Sequence, residues 1–178
     1  SAVEGFSLVI PEPFTGREKF PADRGSVEWA ISWFGNADAF LSSYCNTVPT
    51  THGGTHEAGF RTALYKGLRG YGELAGNRKA AILTAEDVMG SAGAMLSMFI
   101  REPEFQGQTK EKLANVDAAR LVENAVRDHF DHFLSGAPSA ANKLLEWCIE
   151  RAEERLRRRA EREINRKTAT RKLRLPGK

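Results

Sequence analysis

Cysteine, long apolar runs and, toward the C-terminus, acidic residues are what this sequence has least of, and each shortage excludes something. Cys45 and Cys148 stand far apart with no pairing pattern. That excludes a disulfide framework and points to free thiols in a reducing compartment, each serving as a small buried hydrophobe. No apolar run approaches the ~20 residues that span a bilayer, so no membrane partner is expected. The N-terminus has no basic start followed by an apolar segment, so no signal peptide is expected. Histidines are few. His52 and His56 are four apart and His129 and His132 three apart, but neither pair has a third ligand nearby, and no metal site is assigned.

What is there is enough for a core. The 178 residues, 41% of them hydrophobic, fit one ordinary domain with appended pieces and exclude disorder throughout. The net charge of +3 is unevenly placed. Residues 150–178 hold twelve Lys/Arg against five Asp/Glu, a local +7, which leaves −4 for the rest. Such asymmetry suggests that the C-terminal end meets a polyanion.

Residues 1–24, punctuated by Pro11, Pro13 and Pro21, read as a linker with one short strand over Phe14 to Phe20. Val27, Trp29, Ile31 and Trp33 alternate with polar residues, which predicts a strand over Ser26 to Phe34 with one buried face. A turn at residues 35–38 leads to a third strand over Phe40 to Val48, closed by Pro49. Gly53 and Gly54 suit a tight loop, with Thr55 as the cap of a helix carrying Phe60, Leu64 and Leu68. Thr84 and Asp87 have the spacing of a capping box. The apolar stretch over Gly90 to Ile100 predicts a central strand. After a polar loop over 101–115, Leu121, Val122, Val126, Phe130 and Phe133 mark a helix to about Leu134, with both phenylalanines in the core. Gly136 and Pro138 separate it from a last helix over Ser139 to about Lys167, ~28 residues and ~42 Å long. The distal half of that helix should project. The fold class is therefore α+β: a four-stranded, mainly antiparallel sheet covered by helices, with a long C-terminal helix.

Four short motifs then stand out in order: Gly53-Gly54-Thr55-His56, Gly59-Phe60-Arg61, Gln108-Thr109-Lys110 and Leu175-Pro176-Gly177-Lys178. Together they resemble the transducer region of bacterial type IIA topoisomerase ATPase subunits, over residues 14–178. Pro13-Phe14-Thr15-Gly16 and Val27-Glu28-Trp29-Ala30 look more like the topoisomerase IV B subunit than the gyrase B subunit, the close alternative. The resemblance implies a fold like the second domain of ribosomal protein S5 (ribosomal protein S5 domain 2-like). It implies a division into residues 1–24, a linker from a GHKL ATP-binding domain plus the first strand; 25–137, the transducer; and 138–178, the basic helix leading toward a TOPRIM domain. It also implies partners: duplex DNA bound without sequence preference, the A subunit in an A2B2 heterotetramer, and a second copy of the B subunit in an ATP-dependent dimer. ATP and Mg2+ would bind in the intact subunit, mainly outside these residues. A cytoplasmic, nucleoid-associated bacterial setting follows. The general base of hydrolysis and the DNA-cleaving tyrosine lie on other parts of the family's machinery, so these residues alone are expected to be inactive.

Apart from any family, Lys110 offers a compact cation suited to a terminal phosphate, and Gln108 and Thr109 add neutral donors. At ~4 Å a unit charge pair gains about 4 kcal/mol at an effective dielectric near 20, enough to latch a loop when the phosphate is present. An isolated tripeptide of this kind would ordinarily be an exposed polar loop. In the family this lysine reaches the γ-phosphate and stabilises the charge of hydrolysis, and Gln108 contacts the same group. By the same resemblance Arg61 lines a DNA cavity. Arg158, Arg162, Arg166 and Lys167 on the last helix are DNA-contact candidates, against the alternative of a salt-bridged, solvated helix. Two readings of other classes compete with the relay module. One is a stand-alone S5-like nucleic-acid-binding domain; the other is a helical partner-binding adaptor.

Overall fold

The computed structural model describes residues 7–106, 110 and 112–174. Five strands form one mixed sheet in the order β1-β2-β5-β3-β4. They are β1 (Phe14–Lys19), β2 (Gly25–Trp33), β3 (Phe40–Cys45), β4 (Val48–Pro49) and β5 (Ala92–Ile100). β2 pairs antiparallel with β1 and β5, whereas β3 runs parallel to β5. The α+β class and the long terminal helix agree with expectation, and the strand count differs by one. The cause is a turn inside the expected third strand. Asn46 and Thr47 have φ of 50° and 69°, so the chain reverses between Cys45 and its partner Val48. Two left-handed residues joining a paired couple make the tightest hairpin connection. The Asn46 side chain also bonds both ways with Ile100, giving its amide to the carbonyl (2.8 Å) and accepting from the N–H (2.9 Å).

One face of the sheet is covered. Val27, Trp29, Ile31 and Trp33 point into the core, as their period of two requires. Against them pack α1 (Thr55–Leu74) and α3 (Ala118–Gly136). Phe130 is fully buried and Phe133 partly so; Phe14 meets their rings at 4.9 and 5.1 Å. The helices approach closely because Gly59 has no side chain. A Cβ there would stand 2.1 Å from the Ala119 carbonyl oxygen. Both cysteines are buried and unpaired, and burial pushes the Cys45 thiol to about 11 and the Cys148 thiol to about 12.

The caps differ in detail from expectation. Thr84 and Asp87 form the capping box of α2 (Ala85–Met89), as their spacing predicts. Thr55 does not cap α1; Gly54 holds the N-cap position with φ 143°, because its backbone serves another contact described below. Asp117 stands at the N-cap of α3 without a side-chain cap bond, while Asn115 accepts from Glu104 N–H and donates to the Glu102 carbonyl.

α4 (Pro138–Arg174) has 37 residues, about 55 Å at 1.5 Å per residue, longer than its fading apolar stripe suggests. Its first half buries Ala141, Leu144, Leu145, Cys148, Ile149 and Ala152. Residues 156–171 are all exposed, so the distal part projects. Arg155 ends the docked half. It grips the buried Asp87 carboxylate at 3.1 and 3.2 Å and the Ile82 carbonyl at 3.1 Å. Among the described residues, no helix is long and apolar enough to cross a membrane.

Candidate functional site

The polar stretch after β5 is a small hairpin on a fixed base. Gln106 N–H donates to the Lys112 carbonyl (2.8 Å) and Ala114 N–H to the Glu104 carbonyl (2.7 Å), so residues 104–106 and 112–114 run side by side. Lys110 lies near the tip, exposed, with φ 59°. Gln108 and Thr109 lie outside the described residues, as do Leu175, Pro176, Gly177 and Lys178 of the fourth motif.

The base of the hairpin is the glycine motif. Leu113 N–H donates to the Gly53 carbonyl (3.1 Å), and Thr55 N–H donates to the Leu113 carbonyl (3.2 Å). A Cβ on Gly54 would stand 2.5 Å from the Leu113 carbonyl oxygen and 2.7 Å from its nitrogen. Only glycine permits so close an approach, and only glycine adopts φ 143° without strain. The first motif is thus in contact with Leu113, three residues past Lys110 and nearly sixty residues away in sequence. Leu113 is itself buried, so the arm that leads back from Lys110 is pinned by both hydrogen bonds and packing.

Behind this contact lies a buried polar cluster that sequence reasoning missed. Ser43, Thr50 and His56 are all buried, and the Glu57 carboxylate is 14% exposed. The Ser43 hydroxyl is 2.7 Å from Glu57 Oε2 and 2.6 Å from Thr50 Oγ1, which is 3.0 Å from His56 Nε2. Burial lowers the His56 imidazole from 6.5 to about 4, so it is neutral near pH 7. His56 is a buried residue of the first turn of α1 rather than of the loop before it. No group of three or more His, Cys, Asp or Glu suited to a metal occurs among the described residues. The signal for the cluster was present as four polar residues, Ser43, Thr50, His56 and Glu57, on or beside apolar elements. Their convergence depended on the turn at Asn46-Thr47, which the sequence did not disclose.

Arg61 follows on α1, half-exposed, with Nη2 3.9 Å from Glu57 Oε1. It lines a cleft of about 490 Å³ with Arg151, Glu86, Phe40 and the Gly90-Ser91 turn. Arg151, one of the last helix's arginines, is not among the DNA-contact candidates read from the sequence. Its guanidinium lies 4.0 Å over the Trp147 ring, a stacked position that fixes the plane of the charge. The other basic candidates are not brought to this cleft. Arg158 pairs with Glu154 at 2.6 Å, as in a salt-bridged helix. Arg162, Arg166 and Lys167 are exposed on the projecting half of α4. Lys110, Arg61 and these distal cations therefore form three separate positive features.

Known proteins resemble this chain closely. The model of the DNA gyrase B family matches residues 3–164. The B subunit of DNA topoisomerase 4 from Bartonella bacilliformis is 60% identical over 171 residues, covering 96% of this chain and 25% of that protein. Its counterpart from Caulobacter vibrioides is 55% identical over 98% of this chain and 26% of its own length. The chain thus spans about a quarter of the curated relatives it matches. Among solved structures, the 43K ATPase domain of Thermus thermophilus gyrase B superposes with a TM-score of 0.78 at 28% identity, over 90% of this chain and 43% of that one. The topoisomerase IV ATP-binding domain of Francisella tularensis superposes with a TM-score of 0.74 at 30% identity, over 82% and 40%.

Proposed function

This chain belongs to the DNA gyrase B family, and on that premise we propose that it is the transducer of a topoisomerase IV-like B subunit, relaying ATP state to DNA strand passage. Relatives that are DNA topoisomerase 4 B subunits support topoisomerase IV over gyrase, and decatenation in chromosome segregation over supercoiling. The chain is about a quarter of those relatives, so hydrolysis and strand passage are assigned to the whole subunit with its A subunit, in the cytoplasm at the nucleoid.

The observation that carries the reading is the pinning of the Lys110 hairpin to Gly53 and Gly54. A side chain that must reach a phosphate held in another domain needs a firm base and a free tip. Lys110 has both. Its ammonium meets the γ-phosphate when nucleotide is bound, with Gln108 and Thr109 adding donors, and loses that partner once the phosphate leaves. Mg2+ and the rest of the ATP site belong to the preceding GHKL domain. Making or breaking the lysine–phosphate bond moves the domain as one packed body. α4 carries that movement outward, because Arg155 and the buried face through Ala152 fix its near half to the body. Arg61 faces duplex DNA through its cleft, and the distal cations contact phosphates without reading sequence.

The test is ATP-dependent dimerisation of the full-length B subunit, followed by light scattering with a non-hydrolysable ATP analogue. A monomer that becomes a dimer on nucleotide binding is expected. A stand-alone nucleic-acid-binding domain would bind DNA with no response to nucleotide, and that result would overturn the relay.

A further inference from the structure

Glu57 lies between two features that the proposed function treats separately: it is beside Gly53, which holds the phosphate-facing hairpin, and it faces the DNA-facing Arg61. Its carboxylate lies against the backbone that holds the hairpin: a Cβ on Gly53 would stand 2.6 Å from Glu57 Oε2. Gly53 is the residue whose carbonyl accepts from Leu113. The other carboxylate oxygen faces Arg61 at 3.9 Å, one helical turn on.

The hydrogen-bond chain behind Glu57 has a direction. Ser43 owns one hydroxyl proton; of its two acceptors, Glu57 Oε2 at 2.7 Å and the Thr50 carbonyl at 3.2 Å, the nearer and charged one takes it. Ser43 Oγ therefore accepts from Thr50 Oγ1 at 2.6 Å, and Thr50 accepts from His56 Nε2 at 3.0 Å. His56 is accordingly the Nε2–H tautomer, which fits a buried Nδ1 with no hydrogen-bond partner. Every donor in the chain points toward one carboxylate. That carboxylate is held firmly from behind and only loosely by Arg61 in front. Arg61 can turn to an anion in its cleft without giving up a short bond, and Glu57 then loses its only guanidinium partner among the described residues.

We propose that Glu57 is the positioning residue that couples the two sites: a DNA phosphodiester drawing Arg61 away changes how Glu57 sits against Gly53, and so shifts the hairpin that carries Lys110. This rests on the roles given above to Arg61 and Lys110. Linkage makes the coupling reciprocal, so nucleotide at Lys110 would alter the grip on DNA by the same factor.

The experiment measures ATP turnover of the full-length subunit, assembled with its A subunit, with and without duplex DNA. Glu57→Gln keeps the shape and removes the charge. It is expected to reduce the ratio of the two rates at least about fivefold, or to unity if the wild-type ratio is smaller. Glu73→Gln, which removes an exposed pair with Arg69 on the same helix, is the control and should leave the ratio as it was. A wild-type ratio in Glu57→Gln overturns the proposal, as does an equal drop in Glu73→Gln. If Glu57→Gln does not fold, Ser43→Ala replaces it, with a lowered ratio in support and a wild-type ratio against. Failure of the underlying reading is separable, because it would appear as full turnover in Lys110→Ala or a full DNA response in Arg61→Ala, whatever Glu57 does.

Discussion

A single missing methyl decides two of the motifs. At Gly59 an added Cβ meets the Ala119 backbone at 2.1 Å, and backbone does not yield cheaply. Gly59→Ala gains up to about 1 kcal/mol of helix propensity but loses more to overpacking, for a net loss of about 1–3 kcal/mol. Gly70, on the same helix, has nothing within 4 Å of its Cβ position. Gly70→Ala should therefore stabilise by about 0.5–1 kcal/mol, and urea denaturation should show opposite signs for the two variants. His56 makes a pH-dependent contribution. Its folded value of about 4 lies below the ordinary 6.5, so as pH falls the unfolded chain binds the proton first. Stability from this residue is complete above about pH 6.5 and is lost as pH falls toward 4. Between pH 7 and pH 5 the loss is about 2 kcal/mol, and a His56→Gln variant should show a flatter profile of denaturation midpoint against pH.

Among the elements, those read correctly are those whose periodicity comes from burial. β2 alternates because one face is covered, and α3 carries its stripe because it lies on the sheet. The capping box at Thr84-Asp87 is legible because both partners are local. What escaped reading was long-range. The Asn46-Thr47 turn lies inside what reads as one continuous strand, and Asn46 is anchored by Ile100, more than fifty residues away. Gly54 displaces Thr55 as the cap because Leu113 needs its backbone. Arg155 reads as one more solvated arginine until Asp87 is placed beside it. Arg155→Ala leaves a carboxylate only 4% exposed with its Thr84 bonds but no cationic partner, and should cost about 3 kcal/mol by chemical denaturation. Replacing both partners, Arg155→Met with Asp87→Asn, should recover most of that loss.

At the scale of the molecule, the basic candidates fall in three separate places. The hairpin tip, the Arg61 cleft and the distal half of α4 are separate surfaces joined by the core. DNA binding through the last of these should be salt-dependent. Changing Arg158, Arg162, Arg166 and Lys167 to Ala in the full-length subunit should weaken binding equally across DNA sequences. It should also make the plot of log affinity against log salt shallower by about 0.9 for each phosphate no longer neutralised. An unchanged slope would leave those residues as a solvated helix face.

The proposed relay turns on one side chain, Lys110, whose motif was legible only in company with the others and whose hairpin is held at its base by Gly53 and Gly54. The direct measurement is ATP turnover by the full-length subunit carrying Lys110→Ala, with its melting temperature taken alongside. Lys110 is exposed at the hairpin tip, so the fold should persist and the melting temperature should hold. Turnover should fall by at least about a hundredfold, the scale of losing one charge-stabilising donor in the transition state. Near wild-type turnover with an intact fold would contradict the account.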